Sequence, residues 1–217
     1  MNLNTKQPLS KLTFGCEPLG GMDSGKIDLP EIRNSIDYAI DGGVNVFDVA
    51  DVYGLGSAEE ELRKTLGPRI HDLFIITKFG VRWELSKNNK RAITVKDSNP
   101  NYMIKALESS LKRLKIETIP LYLVHWPDKN TNIEDTINAL EIAKFKGKIM
   151  NYGISNFFSS NTIDFFNKFK ISAYQGPLNL IDFNRSAEIF KEAIKKNIIT
   201  FSYAPLAQGL LTGKFDS

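Results

Sequence analysis

The sequence of 217 residues has one cysteine, Cys16, so no disulfide can form within the chain. A lone cysteine is typical of a reducing compartment such as the cytosol. No apolar run approaches the roughly 18 residues of a membrane-spanning helix, and residues 1–15 lack the apolar core of a signal peptide. The formal net charge of +3 is too small to indicate nucleic acid or an anionic membrane as a partner. These absences predict a cytoplasmic protein that binds neither.

Phosphate-binding glycine motifs are missing as well. The segment "FGCEPLGG" (14–21) follows the first apolar run but lacks the G-x-G-x-x-G spacing of a dinucleotide-binding loop, and no G-x-x-x-x-G-K-[ST] motif occurs. The sequence also shows no group of residues with metal-ligand spacing. We therefore expect no metal site, and a doubly wound sheet is only the alternative fold.

What the sequence does contain is an alternation of short apolar runs with amphipathic segments, at a period of about 30 residues. This alternation predicts an α/β fold of the (β/α)8 barrel type in a single domain, residues 1–217. The barrel is incomplete, with about seven strands and the eighth missing, and its open edges would allow self-association. The predicted strands are 11–15, 44–50, 73–79, 120–126, 151–156, 172–177 and 198–206.

Helix start signals lie between these runs. Asp28, Asn99 and Asn132 each stand where an N-cap residue is expected, and Ser57 with Glu60 forms a capping box. Two later helices are predicted over residues 159–169 and 185–196.

Polar side chains stand at the ends of three consecutive predicted strands: Asp48, Lys78 and His125. The carboxyl ends of barrel strands carry the chemistry, and alternation along each strand turns all three toward the barrel mouth. Tyr53 follows Asp48 in the next loop. Taken singly, each has an ordinary structural interpretation, namely an ion pair, a core histidine and a loop aromatic.

Together the four residues suit protonation of a carbonyl oxygen. A lysine ammonium would lower the tyrosine pKa from its usual value of about 10, and Asp48 would keep Lys78 charged. His125 would donate a hydrogen bond to the substrate oxygen or relay a proton. The carbonyl carbon also needs a hydride, which side chains cannot supply and a nicotinamide can.

The chain resembles the aldo-keto reductase family from about residue 12 to residue 214, in the branch of the bacterial stress-type reductases and potassium-channel β-subunits. The resemblance rests on five segments: "FDVADVYGLGSAEEELRKTLG", "FIITKFG", "LYLVHWPD", "GKIMNYGISNF" and "SYAPLAQGLLTGKF". It implies a catalytic tetrad of Asp48, Tyr53, Lys78 and His125. It also implies reduction of an aldehyde or ketone with a nicotinamide cofactor, NADP(H) in preference to NAD(H).

The resemblance further implies residues that bind the cofactor. Ser155, Asn156 and Gln175 correspond to the residues at the nicotinamide carboxamide, and Tyr203 to the aromatic residue that stacks on the ring. The pyrophosphate segment corresponds to Ala204, Pro205, Leu206, Gln208, Gly209, Leu210 and Lys214. Without the resemblance, Ser155 and Asn156 would be interpreted as a helix cap and Gln175 as a polar residue at a strand end.

Trp83 and Trp126 are predicted to line the substrate mouth, with packing of loops against the barrel rim as the alternative. The basic segment "SKNNKR" (86–91) is interpreted as a solvated rim and not as a phosphate site. Relatives continue for about a third more sequence, so a C-terminally truncated chain is expected. Two alternatives to a carbonyl reductase stay open: a non-catalytic binding or regulatory protein, and an inactive fragment.

Overall fold

A computed structural model of the protein describes residues 3–5, 7–21, 28–85, 92–158 and 161–215. The chain divides into two compact units, one of residues 4–151 and one of residues 152–217 with residues 1–3. We call them the N-terminal unit and the C-terminal unit. The single domain over residues 1–217 stays a prediction.

Nine strands and six α-helices are described, with short 3-10 turns between them. The strands are β1 (Thr13–Gly15), β2 (Val46–Asp48), β3 (Phe74–Phe79), β4 (Val81–Leu85), β5 (Ala92–Lys96), β6 (Ile119–Val124), β7 (Ile149–Ser155), β8 (Ala173–Pro177) and β9 (Ile199–Tyr203). The helices are α1 (Leu29–Asp41), α2 (Ser57–Leu66), α3 (Pro100–Leu114), α4 (Ile133–Phe145), α5 (Asn161–Lys168) and α6 (Ala187–Lys195).

In the N-terminal unit, β1, β2, β3 and β6 are parallel neighbours in that order. Every residue of β3 is buried, as expected for a strand covered on both faces. The register pairs Asp48 with Ile76, and Lys78 with Leu123. The carboxyl ends of β2, β3 and β6 therefore come together at one edge.

In the C-terminal unit, β7, β8 and β9 are parallel neighbours, with α5 and α6 as the crossover helices. Ser155 pairs with Gln175, and Pro177 with Tyr203. The α/β fold with seven parallel strands is confirmed. Neighbours follow chain order in each unit without the reversal that defines a doubly wound sheet, which favours the barrel type over the alternative.

Three of the four predicted helix caps are confirmed. The side chains of Asp28, Asn99 and Asn132 each accept a backbone N–H from the first turn of their helix, at 2.9–3.1 Å. The capping box at Ser57 is wrong. The N-cap position belongs to Gly56 with a φ of 96°, and the Ser57 hydroxyl donates to the Gly20 carbonyl oxygen at 3.4 Å.

An antiparallel hairpin of β4 and β5 was not predicted. The segment "SKNNKR" (86–91) lies outside the described residues, as do residues 159–160 at the start of a predicted helix. Most predicted strands are one to three residues too long at one or both ends, while β7 begins two residues earlier than predicted.

Among the described residues, no helix combines the length and apolarity needed to cross a membrane.

Candidate active site

An ion pair joins the carboxyl ends of β2 and β3. The Lys78 Nζ atom lies 2.6 Å from Asp48 Oδ1, with the lysine side chain 1% exposed and the aspartate 15% exposed. Burial opposes the charge on Lys78, but the attraction of Asp48 and then of Tyr53 is stronger, and the Lys78 pKa is raised. Lys78 is therefore a permanently charged ammonium at neutral pH, as predicted.

The Lys78 ammonium donates to Asp48 Oδ1 and to the Val49 carbonyl oxygen, the second at 2.9 Å. Its Nζ atom lies 5.1 Å from the centroid of the Tyr53 ring. The positive charge therefore stands beside the phenol, where it favours a phenolate.

The loop that carries Tyr53 is held by a close crossing of two glycines. A Cβ atom on Gly20 would lie 2.6 Å from the Gly54 backbone nitrogen, and one on Gly54 would lie 2.5 Å from the Gly20 Cα. Gly54 also has a φ of 55°. Only glycine permits this approach at both positions, so the sequence "YGLG" sets where the tyrosine stands.

The acidity of Tyr53 differs from the prediction. Burial raises the Tyr53 pKa to about 12, because it outweighs the opposing effect of the Lys78 ammonium. The net lowering expected from the sequence is therefore wrong, although its cause, the lysine charge, is present. The phenol stays fully protonated at neutral pH.

His125 immediately follows β6 and contacts Tyr53 edge to face, with ring centroids 5.8 Å apart. Burial, and then the Lys78 charge, lowers the His125 pKa well below its usual value. A neutral imidazole carries one N–H, which suits donation of a hydrogen bond to an uncharged oxygen.

The two tryptophans occupy different settings. Trp126 follows His125 and lies under the Lys96 ammonium, whose nitrogen is 4.5 Å from the ring centroid. Trp83 lies within β4, paired with Thr94 of β5, and not in an irregular loop. Both side chains are half-buried in the N-terminal unit. Their role at a substrate mouth stays a prediction.

In the C-terminal unit, four of the predicted cofactor residues form one hydrogen-bonded group. The Ser155 hydroxyl donates to Gln175 Oε1 at 3.2 Å, and the Tyr203 hydroxyl donates to Asn156 Oδ1 at 2.6 Å. The Asn156 N–H also donates to the Gln175 carbonyl oxygen at 3.1 Å. This set of amides and hydroxyls matches the donors and acceptors of a carboxamide, and so the residues fit the nicotinamide end of the cofactor.

The remaining predicted cofactor residues follow β9 in an exposed segment. Ala204, Ala207 and Gln208 all have left-handed φ angles near 50°, and Gly209 has a φ of 98°. The Ala204 carbonyl oxygen accepts from Asn179 Nδ2 at 3.2 Å. Members of the segment that are partly or fully exposed are Ala204, Pro205, Leu206, Gln208, Gly209, Leu210 and Lys214.

A second buried polar cluster in the N-terminal unit was missed by the sequence analysis. Glu59 is fully buried and accepts hydrogen bonds from Thr77 Oγ1 and Arg113 Nε, both at 2.6 Å. Asp51 and Tyr102 lie beside this pair. No local pattern signals such a cluster, because its members come from α2, α3, β3 and the loop after β2.

A cavity of about 400 Å³ lies at the other end of the N-terminal unit's strands. It is lined by the first residues of β3 and β6 and not by the tetrad, so it is distinct from the candidate site.

Within the described ranges, no three side chains of the metal-ligating types are grouped to hold an ion.

Parallel βα units with an aspartate, a lysine and a histidine at the strand ends, and a tyrosine in the loop after the first of them, define a class of proteins, the α/β barrels with a polar site at the carboxyl ends of the strands. The aldo/keto reductase family model matches residues 11–217. The chain belongs to the aldo/keto reductase family.

Curated relatives are between 27% and 35% identical to the chain over the aligned residues. It is similar to aldo-keto reductase YhdN of Bacillus subtilis (32% identity, 94% of this chain and 61% of the relative). It is also similar to aldo-keto reductase yakc [NADP(+)] of Schizosaccharomyces pombe (35%, 94% and 60%). Further relatives are the NADH-specific methylglyoxal reductase of Escherichia coli (27%, 94% and 66%) and a probable voltage-gated potassium channel subunit beta of Arabidopsis thaliana (28%, 96% and 63%). The chain spans about three fifths of the length of these proteins.

Solved structures agree with this assignment. The glycerol dehydrogenase AKR11B4 from Gluconobacter oxydans superposes with a TM-score of 0.87 at 35% identity, over 97% of this chain and 64% of that protein. The likeness confirms the fold and the predicted branch of the family.

Proposed function

We propose that the protein reduces an aldehyde or ketone with a hydride from a nicotinamide cofactor, with Tyr53 as the proton donor. The observation that carries the proposal is the Lys78 ammonium, which is paired with Asp48 at 2.6 Å and lies 5.1 Å from the centroid of the Tyr53 ring. The phenolate left after proton transfer is stabilised by this adjacent ammonium.

Each of the other residues has a defined part. Asp48 keeps Lys78 charged and oriented. His125, neutral at physiological pH, donates its N–H to the carbonyl oxygen and orients it for proton transfer. Trp83 and Trp126 are proposed to contact the carbon skeleton of the substrate.

The cofactor supplies the hydride when bound. Ser155, Asn156 and Gln175 are proposed to hold its carboxamide, and Tyr203 to pack on the nicotinamide ring, because their mutual hydrogen bonds already orient the amide groups. The exposed residues Ala204, Pro205, Leu206, Gln208, Gly209, Leu210 and Lys214 are proposed for the pyrophosphate. We favour NADP(H), which the name of the fission-yeast relative contains, although the Escherichia coli relative is named for NADH.

The test is the absorbance of the reduced cofactor during turnover with a panel of aldehydes. Tyr53→Phe is expected to lower the rate by about 10²–10⁴-fold, the usual contribution of a general acid. Tyr38→Phe, at an exposed position on α1, is the matched control and keeps the wild-type rate. Equal rates for Tyr53→Phe and the control would remove Tyr53 from the mechanism.

A regulatory role is the second candidate, favoured by the similarity to a probable channel beta subunit. It requires cofactor binding without turnover. A rise in melting temperature with NADPH, combined with no oxidation by any aldehyde, would support it over the reductase. A chain that neither binds cofactor nor oxidises it would support the inactive fragment.

We also propose that the protein self-associates through its strand edges and that it is located in the cytosol. Among the described strands, β1 pairs only with β2 and β9 only with β8, so each presents a strand edge that a second copy could extend. Size-exclusion chromatography with light scattering tests this, and a monomer at all concentrations would contradict it. A cytosolic location suits the single buried thiol of Cys16.

A further inference from the structure

Asp51 is a buried carboxyl that the proposed mechanism does not use. It stands two residues before Tyr53 and is 2% exposed. Within the described part of the chain, its Oδ1 atom has no hydrogen-bond partner. An ionised carboxylate in this setting would bear the full cost of burial, so its protonation state needs an explanation.

The neighbouring charges do not favour ionisation. Glu59 already takes the one guanidinium of the cluster, through the 2.6 Å contact between Arg113 Nε and Oε2. Asp51 is then a second carboxyl beside an ion pair that is complete without it. Burial, followed by repulsion from Glu59, raises the Asp51 pKa well above its usual value, and Arg113 offsets this only in part.

The hydrogen bonds of the Tyr102 hydroxyl also indicate that the Asp51 carboxyl is protonated. The Tyr102 hydroxyl oxygen lies 3.2 Å from the Val81 carbonyl oxygen and 3.4 Å from Asp51 Oδ2. The phenol has one hydrogen, and a carbonyl can only accept, so the shorter contact takes the phenol hydrogen. The contact to Asp51 is then a hydrogen bond only if the carboxyl carries a proton and donates it to the phenol oxygen.

We propose that Asp51 is a neutral carboxylic acid in the folded protein and a positioning residue for the Tyr53 loop. Its O–H donates to Tyr102, whose O–H donates to the Val81 carbonyl oxygen. This chain of hydrogen bonds connects the loop after β2, through α3, to the first residue of β4.

The loop is fixed further by the Asp51 N–H, which donates to the Lys78 carbonyl oxygen at 3.4 Å. Glu59 from α2, Arg113 from α3 and the Tyr122 hydroxyl from β6 are the other titratable groups that face Asp51. The protonation state of Asp51 can be tested without enzymatic activity. Only the importance of the Tyr53 position for catalysis rests on the proposed function.

Infrared spectroscopy tests the protonation directly. The difference spectrum of wild type minus Asp51→Asn, near pH 7, is expected to show the C=O stretch of one protonated carboxylic acid, shifted in deuterated water. Asp41→Asn, at an exposed position, is the control and shows carboxylate bands only. Carboxylate bands alone in the Asp51 difference would overturn the proposal. Should Asp51→Asn not fold, NMR of wild type labelled with ¹³C at the aspartate carboxyls decides, since one resonance must keep its protonated shift near pH 7, where an ordinary aspartate is ionised.

Amide hydrogen exchange tests the positioning role. Asp51→Ala is expected to speed exchange of the amides in residues 51–56 by about tenfold, the effect of one lost buried hydrogen bond. Asp51→Asn, which can still donate to Tyr102, is expected to restore slow exchange. Equal exchange in wild type and Asp51→Ala would overturn the role of Asp51 in holding the loop, whatever the result for catalysis.

Discussion

The two units of the molecule organise their polar groups in different ways. In the N-terminal unit, Asp48 and Lys78 form a buried ion pair between adjacent strands. In the C-terminal unit, Asn156 and Tyr203 are joined by a neutral hydrogen bond, and Tyr203 is 36% exposed. Charge in a buried setting fixes geometry strongly and is costly to disturb, whereas neutral contacts near solvent can adjust.

The exposed apolar residues show the same contrast. After β9, several large side chains face solvent: Leu206, Leu210, Leu211 and Phe215. The tetrad region instead has Phe47, Ile76 and Val124 fully buried around it. The chemical groups are thus built into a completed core, while the segment proposed for the pyrophosphate is not covered within the described structure.

Removal of the Lys78 charge is expected to have the largest effect on stability. Lys78→Met leaves the Asp48 carboxylate without its cation, and we expect the free energy of unfolding to fall by about 3–5 kcal/mol. Urea denaturation followed by circular dichroism measures this. The same substitution should abolish carbonyl reduction, because it removes the group that stabilises the Tyr53 phenolate.

The matched control is the double variant Asp48→Asn with Lys78→Met. It removes both charges and should recover most of the lost stability, because no carboxylate then lies unpaired in the core. A double variant as unstable as Lys78→Met alone would show that the pair acts through packing and not through charge.

The second effect is a pH dependence that belongs to Tyr53. Its folded pKa of about 12 exceeds the unfolded value of about 10, so between these values the unfolded chain binds fewer protons than the folded chain. Stability should therefore fall by roughly 2–3 kcal/mol as the pH rises from about 10 to about 12. The difference in unfolding free energy between wild type and Tyr53→Phe isolates this contribution, and a difference that does not change with pH would contradict it.

Much of the N-terminal unit could be predicted from sequence, because it follows from the repetition of βα units. Apolar runs set the strands, and parallel strands place Asp48, Lys78 and His125 at one edge without any knowledge of contacts. The approximate position of Tyr53 then follows from the length of the loop. The caps at Asn99 and Asn132 were also predictable, since a cap depends only on its own helix.

The remaining features depend on contacts between distant residues. Asp51 and Tyr102 are 51 residues apart, and no local pattern predicts their meeting. The sign of the Tyr53 pKa shift depends on the depth of burial, which composition does not give. The hairpin did have a signal, the alternating residues 81–85 and 92–96, but it interrupts the expected βα alternation, and no strand was predicted there.

A smaller effect is expected in the C-terminal unit. Tyr203→Phe removes the 2.6 Å hydrogen bond to Asn156 Oδ1, and we expect a loss of about 0.5–1.5 kcal/mol in the free energy of unfolding. Asn156→Gly keeps the backbone conformation at a φ of 65° while removing the same bond. The double variant measures whether the two substitutions act on the same bond. If its loss of unfolding free energy equals the sum of the two single losses, the hydrogen bond contributes nothing to stability.

The smallest effect is expected at Ala207, whose φ of 48° is left-handed. Ala207→Gly relieves backbone strain in the folded chain but adds freedom to the unfolded chain, so the change in stability should stay within about 0.5 kcal/mol. Ala193→Gly, in the interior of α6 of the same unit, is the control and should cost about 1 kcal/mol. Melting temperatures compare the two variants. A large loss for Ala207→Gly would mean that contacts of its methyl group hold the exposed segment, and the C-terminal unit would then resemble the N-terminal unit in its rigidity.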